Sequence, residues 1–125
     1  MEKPFEIIDF SIHEDSRGKL IPYEFSSLPF SPKRFFYTTV NVAGTIRGEH
    51  GHHVCEQVIF SLKGSILVKI RNRSFEATYT LEPNGKALYI PAGTWASQTF
   101  SVGSEIMGCL ASHPYDESDV FKTFD

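Results

Sequence analysis

Turn-forming clusters recur along this chain at spacings of about 8–12 residues, too close together to leave room for a framework of helices. They include Ser16-Arg17-Gly18, Pro29-Phe30-Ser31-Pro32, Ala43-Gly44, Lys63-Gly64, Arg71-Asn72-Arg73, Pro83-Asn84-Gly85, Pro91-Ala92-Gly93 and Val102-Gly103-Ser104. Glycine admits the backbone angles a tight turn needs, and proline presets one of them while withholding an N–H. Between the turns lie short β-branched or aromatic runs over residues 34–42, 57–62, 65–70, 75–81 and 86–90. Phe75, Ala77, Tyr79 and Leu81 alternate with Glu76, Thr78 and Thr80, the period of a strand with one buried face. Only Tyr115-Asp116-Glu117-Ser118-Asp119-Val120-Phe121 looks helical. The pattern predicts an all-β chain folded as an antiparallel sandwich, jelly roll or barrel.

A chain of 125 residues, with no repeat, low-complexity tract or linker, reads as one domain over 1–125. The formal charge of −3 argues against non-specific nucleic-acid binding, which needs a basic footprint. Twelve Lys and Arg residues still allow a local cationic pocket for a phosphate. The first residues contain no apolar stretch of the secretory type, and no run approaches the roughly 18 apolar residues of a membrane span. Cys55 and Cys109, far apart in strand-like segments, read as reduced packing residues of a cytoplasmic protein.

The densest chemistry lies in Arg47-Gly48-Glu49-His50-Gly51-His52-His53-Val54-Cys55-Glu56. If this stretch is extended, His50, His52, Val54, Glu56 and Val58 share one face, and His53 points the other way. Two imidazoles and a carboxylate aimed together into a sheet interior are costly to bury without a purpose. Three readings compete. The residues lie idle on a solvated face; or His50, His52 and Glu56 supply three ligands to a divalent metal; or the imidazoles work as acid and base without metal.

The spacing from Gly44 through His50-Gly51-His52 and Glu56 to Gly64 resembles the first motif of the cupins, which are jelly-roll (double-stranded β-helix) barrels. Their second motif follows a Pro-x-Gly turn with a histidine that completes a metal site. Here Pro91-Ala92-Gly93-Thr94-Trp95 is followed by Ala96 and Ser97, so that ligand is missing. The likeness narrows with Pro32-Lys33-Arg34-Phe35-Phe36-Tyr37, Arg47-Gly48-x-His50-x-His52, Glu56-Gln57-Val58, Leu88-Tyr89-Ile90 with Trp95, and the tail from Leu110 through Tyr115-Asp116-Glu117-Ser118-Asp119. Over nearly the whole chain these resemble the dTDP-sugar 3,4-ketoisomerases, small WxcM-like cupins. The resemblance implies a cupin barrel that needs no metal or cofactor. It also implies conversion of dTDP-4-keto-6-deoxyglucose to a 3-keto-6-deoxyhexose, on the route to 3-amino-3,6-dideoxy sugars of surface polysaccharides such as lipopolysaccharide O-antigen. A homodimer, with N-terminal strands exchanged between subunits, is implied in the same way. The family's paired active-site histidines fall on His50 and His52, and its active-site tyrosine on Tyr37.

Moving a carbonyl from C4 to C3 requires a proton removed from one carbon and delivered to the other, work suited to imidazole near neutral pH. His52, deeper along the strand, is assigned as the carbon base and His50 as the oxygen shuttle, with the reverse order as the alternative. Arg47 is the first candidate to hold the diphosphate, because its planar fork matches phosphate oxygens. Arg34 and Arg17 are secondary candidates. Glu56 is expected to orient one histidine by accepting its second N–H. Trp95 joins the substrate-binding set through the resemblance. The competing functions are a metal-dependent cupin enzyme using His50, His52 and Glu56, and a sugar-binding cupin without catalysis.

Overall fold

The computed structural model describes residues 3–124. Two five-stranded sheets face one another. The first has the order β1-β9-β6-β11-β4, built from Glu6–Asp9 (β1), Lys86–Ile90 (β9), Gln57–Lys63 (β6), Ile106–Ala111 (β11) and Arg34–Thr39 (β4). The second has the order β12-β5-β10-β7-β8, from Val120–Phe121 (β12), Thr45–His52 (β5), Trp95–Phe100 (β10), Ile66–Arg71 (β7) and Glu76–Leu81 (β8). His13–Asp15 (β2) and Gly18–Leu20 (β3) form a separate hairpin, tethered where the Lys19 ammonium donates to the Pro83 carbonyl. All pairings are antiparallel, and from β4 onward consecutive strands alternate between the two sheets except at the β7–β8 hairpin, as in the expected cupin jelly roll.

Alternation decides what each strand buries. On β7, Ile66, Val68 and Ile70 turn inward while Leu67 and Lys69 face out. They meet Ile59, Leu81, Leu88, Ile90, Phe100, Met107 and Cys109 in the core between the sheets. Each fully buried aliphatic or aromatic side chain contributes about 1.5–3 kcal/mol. The run Val58-Ile59-Phe60 has no polar alternation because β6 is covered on both faces. Ile59 joins the inter-sheet core, while Val58 and Phe60 join a second cluster with Phe10, Ala87 and Leu110, covered by Ile21, Tyr23, Leu28 and Phe30.

The segment 115–121 is not a helix. Glu117–Asp119 makes one 3-10 turn, capped by the Asp116 carboxylate, which accepts the Ser118 N–H at 3.0 Å. The chain then becomes extended and pairs with β5 through Val120↔His52 and Phe121↔Gly51. This pairing closes the edge of the second sheet beside the histidines. Among the described residues, no helix is long and apolar enough to cross a membrane.

Candidate active site

One end of the barrel holds a cavity of about 130 Å³ between the sheets. Strand β5 delivers Arg47, His50 and His52 to it, and a backbone irregularity makes that possible. In a regular strand, residues 47 and 50 point to opposite faces. Here Ala96 pairs with His50 and Ser97 with Gly48, so Glu49 is an extra residue in β5. Gly48 (φ 79°) and Glu49 (φ 60°) take the left-handed conformation of such a bulge. The bulge resets the alternation and puts the arginine on the same side as both imidazoles. Gly48 is also required by space: a Cβ there would lie 2.8 Å from Gln98 Oε1 and 3.0 Å from the Ala96 carbonyl oxygen.

The His50 and His52 rings meet edge to face, with centroids 5.2 Å apart. His52 is largely buried, its Nδ1 lies 3.5 Å from Asp119 Oδ2, and its Nε2 is buried without a protein partner. Burial holds the pKa of His52 below its ordinary value of 6.5; the charges of His50 and Arg34 act in the same direction, and Asp119 opposes them. His52 is therefore neutral at pH 7 and can accept a proton. Thr38, Gln57, Thr94 and Gln98 add neutral polar groups to the lining, whereas Phe36 and Met107 keep part of the wall dry.

Several residues expected at the site lie elsewhere. Tyr37 is 65% exposed on the outer face of β4, and the neighbouring positions Phe36 and Thr38 face the cavity. The alternation of β4 therefore excludes Tyr37 from the cavity of its own chain. Trp95 stands outside for the same reason: Ala96 and Gln98 face the cavity from β10, while the Arg71 guanidinium stacks 4.5 Å over the indole ring. Glu56 orients no histidine. Strand β5 ends at His52, so the shared face does not continue to Val54 and Glu56. The Glu56 backbone is pinned just beyond β11, its carbonyl accepting the Ser112 N–H and its N–H donating to the Ser112 hydroxyl, and its carboxylate accepts the Tyr89 hydroxyl. Burial and that carboxylate push the pKa of Tyr89 up to about 12. The three-ligand set His50, His52 and Glu56 is thus not assembled.

Arg17, at the tip of the β2–β3 hairpin, has an 88% exposed side chain paired with Asp15 at 2.6 Å, outside its own chain's cavity. Arg34 flanks the site, its guanidinium 4.5 Å over the Phe36 ring and 5.3 Å from that of Tyr115. His53 turns away from the cavity and packs on Phe121 at 4.8 Å. Cys55 and Cys109 are free, buried and part of the lining. Asp119, present in the sequence only as the last residue of the Tyr115–Asp119 tail, meets His52 because of a long-range strand pairing that no local pattern announces. The local signal for the turn that presents it is the Asp116-x-Ser118 cap.

The fold and this lining define a small cupin-type barrel with a pair of histidines facing each other in a cavity at one end. The chain belongs to the FdtA family, described as WxcM-like, C-terminal, which it matches over residues 3–125. It is 32% identical over 121 residues to the TDP-4-oxo-6-deoxy-α-D-glucose 3,4-oxoisomerase of Aneurinibacillus thermoaerophilus, spanning 96% of this chain and 87% of that one. It also resembles the sugar 3,4-ketoisomerase QdtA of Thermoanaerobacterium thermosaccharolyticum in complex with TDP, at 29% identity and TM-score 0.91, covering 99% of this chain and 91% of QdtA. A histidine-to-asparagine variant of QdtA, in complex with TDP-4-keto-6-deoxyglucose, matches at 28% identity and TM-score 0.90, covering 98% and 90%.

Proposed function

We propose that this chain is an isomerase of nucleotide sugars, converting dTDP-4-keto-6-deoxyglucose to a dTDP-3-keto-6-deoxyhexose. The observation that carries this is a neutral, buried His52 whose Nε2 has no protein partner, set against His50 in a cavity open at one end. The activities of the 32%-identical oxoisomerase and of QdtA support the choice of substrate.

The chemistry follows from the side chains. His52 Nε2 takes the proton from C3; the C–H electrons form a C3–C4 double bond, and the C4 carbonyl oxygen becomes an enolate oxygen. His50 moves the proton of O3 to O4, which transfers the negative charge to O3. The imidazolium of His52 then gives its proton to C4 as the C3 carbonyl forms, and no net proton is gained or lost. Positioned acid–base groups of this kind typically supply about 10²–10⁴-fold each. The Arg47 guanidinium stabilises the enediolate at long range and binds the diphosphate. No step calls on a metal, so NMR of the product should show the carbonyl at C3 both before and after exhaustive chelation. Unchanged substrate would contradict the reading; activity lost on chelation and restored by a divalent cation would contradict its metal independence.

Arg47→Ala is expected to weaken binding of dTDP by about 1.5 kcal/mol, roughly tenfold, the value of one hydrogen bond to a charged group. Calorimetry with dTDP alone checks it. Unchanged affinity would place the phosphates nearer Arg34.

We further propose a cytoplasmic homodimer supplying a 3-keto sugar for amination toward surface polysaccharide. The exposed Phe35 and Tyr37 on edge strand β4, and the hairpin that stands outside both sheets, support self-association. Light scattering should give twice the chain mass of 14.1 kDa.

A further inference from the structure

We infer that Asp119 is a positioning residue for the isomerisation: it holds the His52 imidazole with its proton on Nδ1, leaving the Nε2 lone pair free to act as the base. This rests on the ketoisomerase reading above.

The carboxylate is fixed before it meets the imidazole. Asp119 Oδ1 accepts the Val54 N–H at 2.8 Å, and Oδ2 accepts the Cys55 N–H at 3.0 Å. The same Oδ2 lies 3.5 Å from His52 Nδ1, and both side chains are only 12% exposed. Two further links lock the turn to the strand. The His53 N–H donates to the Asp119 carbonyl at 2.9 Å, and Val120 pairs with His52 across β12 and β5. A carboxylate gripped by two backbone N–H groups cannot swing away, and the short gap to Nδ1 can tighten once substrate closes the cavity.

Of the two ring nitrogens, one faces an anion and the other faces nothing. A neutral imidazole carries one N–H, and beside a buried carboxylate that N–H belongs on Nδ1. Nε2 is then a bare acceptor with no protein donor, an expensive arrangement unless a ligand's proton fills it. Burial by itself would raise the pKa of Asp119, but the N–H bonds from Cys55 and Val54, together with the nearby His52 and His53, outweigh it and hold the carboxyl below its ordinary value. Around His52, the charges of His50 and Arg34 disfavour the imidazolium, and Asp119 favours it. Arg47, Cys55 and Cys109 line the same cavity. Asp119 is the acidic group that sustains the imidazolium formed after proton abstraction.

The competing view is that Asp119 only clamps residues 53–55. Nitrogen NMR of ¹⁵N-histidine-labelled wild type above pH 7 separates the two without any variant: the proposal requires His52 protonated on Nδ1 and bare on Nε2. The opposite tautomer overturns it. In Asp119→Asn, kcat should fall at least about tenfold with KM and dTDP affinity little changed. The acid limb of kcat/KM should move to lower pH, because an anion favouring the imidazolium has been removed. A folded Asp119→Asn protein with unaltered kcat and acid limb also overturns the proposal. A wild type with the Nδ1–H tautomer that turns over no sugar overturns the ketoisomerase reading and leaves the pairing standing.

Discussion

His52→Asn is expected to lower kcat by about 10²-fold or more, with the protein still folded and still binding dTDP. Asparagine keeps much of the shape of the imidazole edge and can donate to Asp119, but it cannot accept a carbon-bound proton. The side chain lines an open cavity and contributes little packing, so the melting temperature should stay close to that of the wild type. The His50→Asn variant should also be severely impaired. The double variant should fall far short of the product of the two losses, because both residues serve one proton path. The pH profile carries the same signature. Burial holds the pKa of His52 below 6.5, and the neutral ring is the active form, so kcat/KM should be level near neutrality. It should then decline with a midpoint below pH 6.5 as the ring takes up a proton. Steady-state kinetics of the folded variants across this range check both expectations. Wild-type turnover by both single variants would remove the histidine pair from the mechanism.

Gly51→Ala should destabilise the fold by about 3 kcal/mol, at the upper end of the usual cost of overpacking. Gly51 lies between the two histidines on β5, and its missing side chain is structural. A Cβ there would overlap the Phe121 ring and come within 2.6 Å of the Thr94 carbonyl oxygen. The ring could turn aside, but a backbone carbonyl in the β9–β10 turn cannot move without disturbing the cavity wall. Relief by expelling Phe121 would unpair β12, and β12 follows directly on the turn that carries Asp119. The substitution should therefore lower the denaturation midpoint and the turnover of the remaining folded protein together. Chemical denaturation paired with an activity assay on the folded fraction checks this. Unchanged stability would mean that the tail does not pack against Gly51.

The strand framework was largely legible because turn residues and period-two alternation are local signals. The runs at 57–62, 65–70, 75–81 and 86–90 correspond to β6, β7, β8 and β9 within a residue or so. The doubly apolar stretch around Ile59 could be read as buried, though not as covered by two different layers. His50 and His52 were legible as a site through chemical density alone. Which aromatic of β4 enters the cavity was not. Phe36 and Tyr37 are adjacent, and either phase of the strand buries an aromatic residue. The choice depends on β11, which pairs Phe36 with Cys109, itself part of the lining. Trp95 raised the same ambiguity on β10, settled in favour of Ala96 and Gln98. The bulge at Glu49 was hidden because an extra residue is defined only against a partner strand. The exchange of Glu56 for Asp119 as the carboxylate beside His52 was hidden for a related reason. Glu56 is near in sequence but turned toward Tyr89, whereas Asp119 arrives through a strand pairing some 65 residues away.

The central claim is that one imidazole moves a proton between adjacent carbons of a keto sugar, and NMR of the product formed in deuterated water tests it most directly. Incubation with dTDP-4-keto-6-deoxyglucose should give a sugar nucleotide with its carbonyl at C3. Deuterium should appear at C4 to the extent that the His52 imidazolium exchanges with solvent before returning its proton. Recovery of unchanged dTDP-4-keto-6-deoxyglucose, with no deuterium at C3 after prolonged incubation with folded protein that binds dTDP, would contradict the account.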